Sequence, residues 1–106
     1  MAEHVYPAAS QAVVGTDRPH RYGKQLVAHM SRKHGGEWDA DAGSGWIQLE
    51  GGRATVAAEE GSLRLRVLAA TDDALPVLED VVGRHLVRFG ERDELSVTWE
   101  RDEAGR

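Results

Sequence analysis

The sequence predicts an α+β domain: a two-layer sandwich whose mostly antiparallel sheet carries two helices packed on one face, in the order β-α-β-β-β-β-α-β. Three observations predict it. Apolar residues recur at helical spacing in two separate stretches, residues 18–34 and 75–89. Between them, residues 37–70 alternate with a period of two and are broken by glycine-rich turns. Each helical stretch leaves one extended segment and returns to another, which places both helices on the same face of one sheet.

Residues 1–7 read as a flexible lead-in, residues 8–100 as a single domain and residues 101–106 as a flexible charged tail. Residues 8–15 make a short first strand around Val13 and Val14. Thr16-Asp17-Arg18-Pro19 opens the first helix, with a capping hydroxyl or carboxylate ahead of a proline in the first turn. The helix runs from about residue 18 to residue 34 and stops at Gly35-Gly36. Tyr22, Leu26, His29, Met30 and Lys33 share one of its faces, with Gln25 at the edge. Arg32, Lys33 and His34 suit the negative end of its dipole.

Strands follow at residues 37–41 around Trp38, then at 46–50, 53–58 and 63–70. Residues 42–45, Gly51-Gly52 and Glu59-Glu60-Gly61 supply the turns. Ile47 and Leu49 oppose Trp46, Gln48 and Glu50, while Leu63, Leu65 and Val67 oppose Arg64 and Arg66, so one face of the meander is covered. Thr71-Asp72-Asp73 caps the second helix, and Pro76 falls in its first turn, where a missing N–H costs little. Leu75, Leu78, Val82, Leu86 and Phe89 form its apolar stripe, with His85 beside it. The helix frays near Gly90, and Leu95, Val97 and Trp99 alternate with Ser96 and Thr98 in a last strand.

A chain of 106 residues is expected to build one core. It contains no cysteine, which excludes disulfides, thiolate metal sites and cysteine nucleophiles and fits a reducing cytoplasm. Its apolar runs are a few residues long, far short of the ~20 needed to span a bilayer, and no early run resembles a signal peptide. The net charge of −5 is spread along the chain and disfavours nucleic-acid binding.

Four residues stand out as candidates for a ligand cleft between the helices: Gln25, His29, His85 and Arg88. If the helices are neighbours, His29 and His85 approach one another. With a carboxylate they would suit a metal; the alternative is a pair of packed histidines bonded to Gln25, a hydroxyl or backbone. Arg84, Arg88 and Arg92 follow one helix flank. With Arg53, Arg64 or Lys33 they would bind an anion; otherwise they pair with Asp80, Glu91 or Glu94. Trp46, in phase with polar Gln48, is either a stacking platform beside Arg53, Arg64 and Arg66 or the cover of a sheet edge or dimer contact. Ser31, Ser44, Ser62 and Ser96 lie in no nucleophile-elbow context, and Gly51-Gly52-Arg53 is a hairpin turn with no helix after it to cradle phosphate.

Together, Tyr22-x-x-Gln25-Leu26-x-x-His29, Glu37-Trp38, Gly52-Arg53, Val82-x-x-His85-Leu86-x-Arg88-Phe89 and Leu95-x-Val97-x-Trp99 form a pattern. It resembles the bacterial domain of unknown function 2218 family over about residues 10–100. The resemblance implies no established activity. It implies proximity to siderophore-interacting flavin reductases, and hence a link to iron handling. Arg32 stands where a second histidine is common in that family, and Glu91 where an aromatic is common.

The expected function is a non-enzymatic ligand-binding or accessory domain in the cytoplasm, with a small anionic ligand or a siderophore-related protein as partner and no cofactor assigned. The alternatives are a small enzyme using His29 and His85 as acid and base or as metal ligands, and a homodimeric interaction module built on the sheet surface around Trp46.

Overall fold

In the computed structural model, which describes residues 6–102, the alternating segments pair into one six-stranded antiparallel sheet. Strands β1 (Ala8–Gly15), β2 (Gly36–Asp39), β3 (Ser44–Leu49), β4 (Gly52–Glu59), β5 (Ser62–Ala69) and β6 (Glu100–Arg101) lie in the order β2-β3-β4-β5-β1-β6. Helix α1 (Pro19–His34) connects β1 to β2, and α2 (Ala74–Phe89) connects β5 to β6. The two-layer α+β architecture and the element order are those the sequence predicts. Among the described residues, no helix is long and apolar enough to cross a membrane.

Register explains why one core suffices. Val14 stands opposite Leu63, Ala12 and Val56 flank Leu65, and Ala54 links Ile47 to Val67, so their side chains fall on one face. That face is sealed by Leu26 and Val27 of α1 and by Leu78, Val82 and Leu86 of α2. Each fully buried Leu or Val contributes about 1.5–3 kcal/mol of transfer free energy, which is why the stripe and not the caps decides where the helices lie.

The helix termini show how little the caps matter. At α1 the residue before the helix is Arg18, and neither Thr16 nor Asp17 caps it; the Thr16 hydroxyl instead accepts the Arg18 N–H at 3.0 Å. Pro19 occupies the first turn as expected. The helix ends where Gly35 adopts φ 107°, a value that favours glycine, and returns its N–H to Ser31. At α2 the Thr71 hydroxyl accepts the Ala74 N–H at 3.1 Å, whereas Asp73 makes no capping bond.

The last strand differs from expectation. Residues 95–99 form no regular strand, and only Glu100 and Arg101 pair, with Gln11 and Ser10 of β1. The cause is packing. After α2 a single 3-10 turn (Glu91–Asp93) and a left-handed Glu94 (φ 55°) aim Leu95 at Gly90. A Cβ on Gly90 would lie 2.2 Å from the Leu95 Cδ1. Val97 and Trp99 then lie against α2 at Gly83, so their alternation serves helix contact instead of a ladder. Arg101 and Asp102, assigned above to the tail, are held at the sheet: Arg101 grips Glu79 of α2, and Asp102 pairs with Arg66 and donates its N–H to the Ala9 carbonyl. Residues 1–5 and 103–106 of the expected lead-in and tail lie outside the described residues.

The 3-10 turn is tied to α1 by the Tyr22 hydroxyl, which donates to the Asp93 carboxylate at 2.5 Å. That bond, reinforced by burial, raises the Tyr22 phenol above its ordinary value. A raised value means that the contribution is complete below the unfolded phenol's pKa near 10 and is lost as pH climbs through the folded one. Tyr22→Phe is expected to cost about 1 kcal/mol at neutral pH and to flatten the alkaline loss of stability. Thermal melts at neutral pH and above pH ~10 compare the two limbs.

Candidate functional site

The C-terminal turns of α1, the middle of α2 and the end of β3 enclose an open cleft of about 520 Å³. Its floor is apolar: Met30 from α1, Leu78 from α2 and Leu49 from β3 are all buried. Its walls carry three imidazoles (His29, His34 and His85), and its rim carries Arg32, Lys33 and Glu50. The Gln48 amide donates to the Gly52 carbonyl at 3.0 Å and pins the β3–β4 turn that holds Leu49 and Glu50 in place.

Helical spacing on α1 and α2 brings His29 and His85 together as the sequence anticipates. Their ring centres are 5.1 Å apart, with the planes inclined by 43°. His29 also meets Phe89 edge to face, at 5.3 Å between ring centres. The His85 Nδ1 lies 2.7 Å from the Val81 carbonyl oxygen one turn back. A carbonyl only accepts, so Nδ1 carries the hydrogen and the neutral ring keeps its lone pair on Nε2. The partner of His85 is thus the backbone, not Gln25.

The other two candidates lie elsewhere. Gln25 is exposed on α1 and is not among the residues lining the cleft. Arg88 follows Arg84 by one turn along the other flank of α2 and lines a second, shallower groove of about 760 Å³ floored by Gly83, Val97 and Trp99. The expected four-residue cluster therefore divides, because positions 85 and 88 sit on adjacent but separate faces of α2. Two of the arginines pair locally: Arg84 of this flank meets Asp80 at 3.3 Å, and Arg64 of β5 meets Glu59 of β4 at 2.9 Å. Trp46 lies on the sheet face away from the helices, where the Arg53 guanidinium covers its ring at 4.4 Å.

Sequence reasoning missed Arg32, Lys33, His34, Glu50 and Val77 as cleft residues. Two signals pointed to them. Val77 is apolar yet lies off the α2 stripe, and it is 59% exposed at the cleft mouth. The basic triplet that ends α1 stands where a helix C-terminus meets a hairpin end, so its charge is focused on a gap and not spread over open surface.

Fold and cleft together define a small two-layer α+β domain with an interhelical pocket. Residues 11–100 match the family described as "Uncharacterized protein conserved in bacteria (DUF2218)", and the chain belongs to that family. The fold is similar to that of PA4090 from Pseudomonas aeruginosa, solved by NMR, with a TM-score of 0.71 at 22% identity over 91% of this chain and 96% of that one. No curated protein matches the chain in sequence.

Proposed function

We propose that the chain is a non-enzymatic, cytoplasmic ligand-binding or accessory domain that takes a small anionic ligand with an apolar portion in the cleft between α1 and α2. One observation carries this reading. On a chain of net charge −5, this cleft gathers Arg32, Lys33 and three imidazoles against a single carboxylate, Glu50, above an apolar floor. The volume falls within the ordinary range for small-molecule sites, about 300–1,000 Å³, and the mix of apolar floor and few polar groups is what such sites share. The family's implied link to iron handling makes carboxylate siderophores the first ligand class to try.

The test is an amide-resolved NMR titration with a ferric carboxylate siderophore, the same chelator without iron, and citrate. Shifts are expected at Leu49, Val77 and Val81. The Arg32→Glu/Lys33→Glu variant is expected to bind at least tenfold more weakly, and parent affinity should fall with added salt. Silence at the cleft amides with every ligand would remove the proposal, as would equal affinity in the charge-reversed variant.

The uncovered sheet face supports a second, compatible reading, self-association. The Arg53 Nε is buried with no partner among the described residues, although its guanidinium stacks on Trp46, and Val13 on the same face is 53% exposed. A monomeric mass by light scattering would end that reading.

A further inference from the structure

We infer that His29 and His85 form a two-histidine site for a borderline divalent cation such as zinc, whose remaining coordination positions are left to the anionic ligand of the cleft. This rests on the cleft reading above. The spacing is the first support. A metal about 2.05 Å from each ring nitrogen lies roughly 3.2 Å from each ring centre, so two imidazoles meeting it at about 90–110° hold their centres roughly 4.5–5.2 Å apart. The observed separation is 5.1 Å. The second support is orientation. The Val81 carbonyl holds the His85 Nδ1–H, which fixes the tautomer that leaves Nε2 for a metal, the arrangement by which ligating histidines are ordinarily oriented. His29, braced against Phe89, reaches the same cleft from the other helix.

Among the described residues, no set of three or more His, Cys, Asp and Glu side chains is gathered for a metal. Two protein ligands leave two positions open on a four-coordinate cation and four on a six-coordinate one, so the remaining ligands must come from outside the chain. An anion drawn in by Arg32 and Lys33 is placed to fill them. Metal and anion would then bind more tightly together than either alone, which a purely cationic cleft does not predict.

Zinc ion alone, nitrilotriacetate alone and their one-to-one complex are titrated into the full chain, with affinity read by calorimetry and the imidazole resonances followed by NMR. Zinc alone is expected to shift the ring signals of His29 and His85 together. The complex is expected to bind at least tenfold more tightly than nitrilotriacetate alone. His29→Ala and His85→Ala should each weaken the complex at least tenfold, whereas His20→Ala, at an exposed histidine outside the cleft, stays within twofold. His29 is exposed, so its variant keeps the fold and reads the site even if His85→Ala lowers the melting temperature. Affinity indifferent to both substitutions, or lost equally with His20→Ala, overturns the inference. Nitrilotriacetate binding the cleft as tightly as its zinc complex also overturns it, while leaving the anion-cleft reading standing. Silence of every cleft residue toward all three probes overturns both.

Discussion

Gly52→Ala is expected to destabilise the domain by about 3 kcal/mol or more, the largest effect of a single methyl addition at any described glycine. Gly52 opens β4 and is paired on both sides, with Leu49 of β3 and Ala69 of β5. A Cβ there would lie 2.1 Å from the Leu68 carbonyl oxygen, 2.6 Å from the Leu78 Cδ1 and 3.1 Å from the Ala69 Cα. The Leu78 tip can rotate away. The Leu68 carbonyl cannot, because it belongs to the β5 backbone and is held in the ladder on either side. The strand ends must therefore part, taking with them the Ala70 N–H bond to Gly51 and the Gln48 bond to Gly52. The damage reaches the cleft, since the same turn presents Leu49 and Glu50. Gly51→Ala provides the control. Gly51 has φ 90°, but its Cβ would meet only the Ala74 methyl, at 3.6 Å, so the cost is backbone strain of about 1 kcal/mol. Urea denaturation of both variants measures the difference; equal midpoints would mean that the β4 terminus yields without opening the ladder.

The elements that bury side chains were legible in the sequence, because burial writes a period. Both helices and β1, β3, β4 and β5 follow from alternation or from the 3.6-residue stripe, and their ends fall within a residue or two of the glycines and prolines that mark them. The segment from Leu95 to Trp99 misled for an instructive reason. Its alternation is real, but the partner of its apolar side is a helix at Gly83 and Gly90, and periodicity does not say whether the surface being covered is a strand or a helix. The candidate site was half legible. His29 and His85 were placed by helical phase alone, each relative to its own helix. Arg88 was grouped with them through proximity along the chain, and a single α2 turn proved enough to send it to another groove. The contribution of β3 to the cleft depended on how far the β3–β4 hairpin reaches along the helices, a tertiary quantity that no local pattern carries.

Arg101→Ala is expected to lower the melting temperature by roughly 8–12 °C, and Glu79→Leu by clearly less. The asymmetry follows from where the two charges sit. The Glu79 side chain is only 10% exposed, whereas that of Arg101 is 54% exposed. Arg101 closes two bonds on the carboxylate, Nη2 to Oε1 at 2.9 Å and Nε to Oε2 at 3.2 Å, and the pairing holds its guanidinium charged more firmly than usual. Removing the arginine leaves a mostly buried carboxylate of α2 without its partner, the costly half of any such deletion. Removing the glutamate leaves only a guanidinium already in reach of solvent, and leucine returns apolar contact at that position. The double variant Glu79→Leu/Arg101→Ala should therefore melt above Arg101→Ala alone, a rescue that additive surface pairs do not show. Arg101 also anchors the two-residue β6 that shields the Ser10–Gln11 portion of β1. Its loss is accordingly expected to speed amide exchange in β1 at Ala9 and Gln11 before the rest of the sheet opens. Uniform exchange across β1 and β5 in Arg101→Ala would show that the edge strand is held by its ladder bonds and not by Glu79.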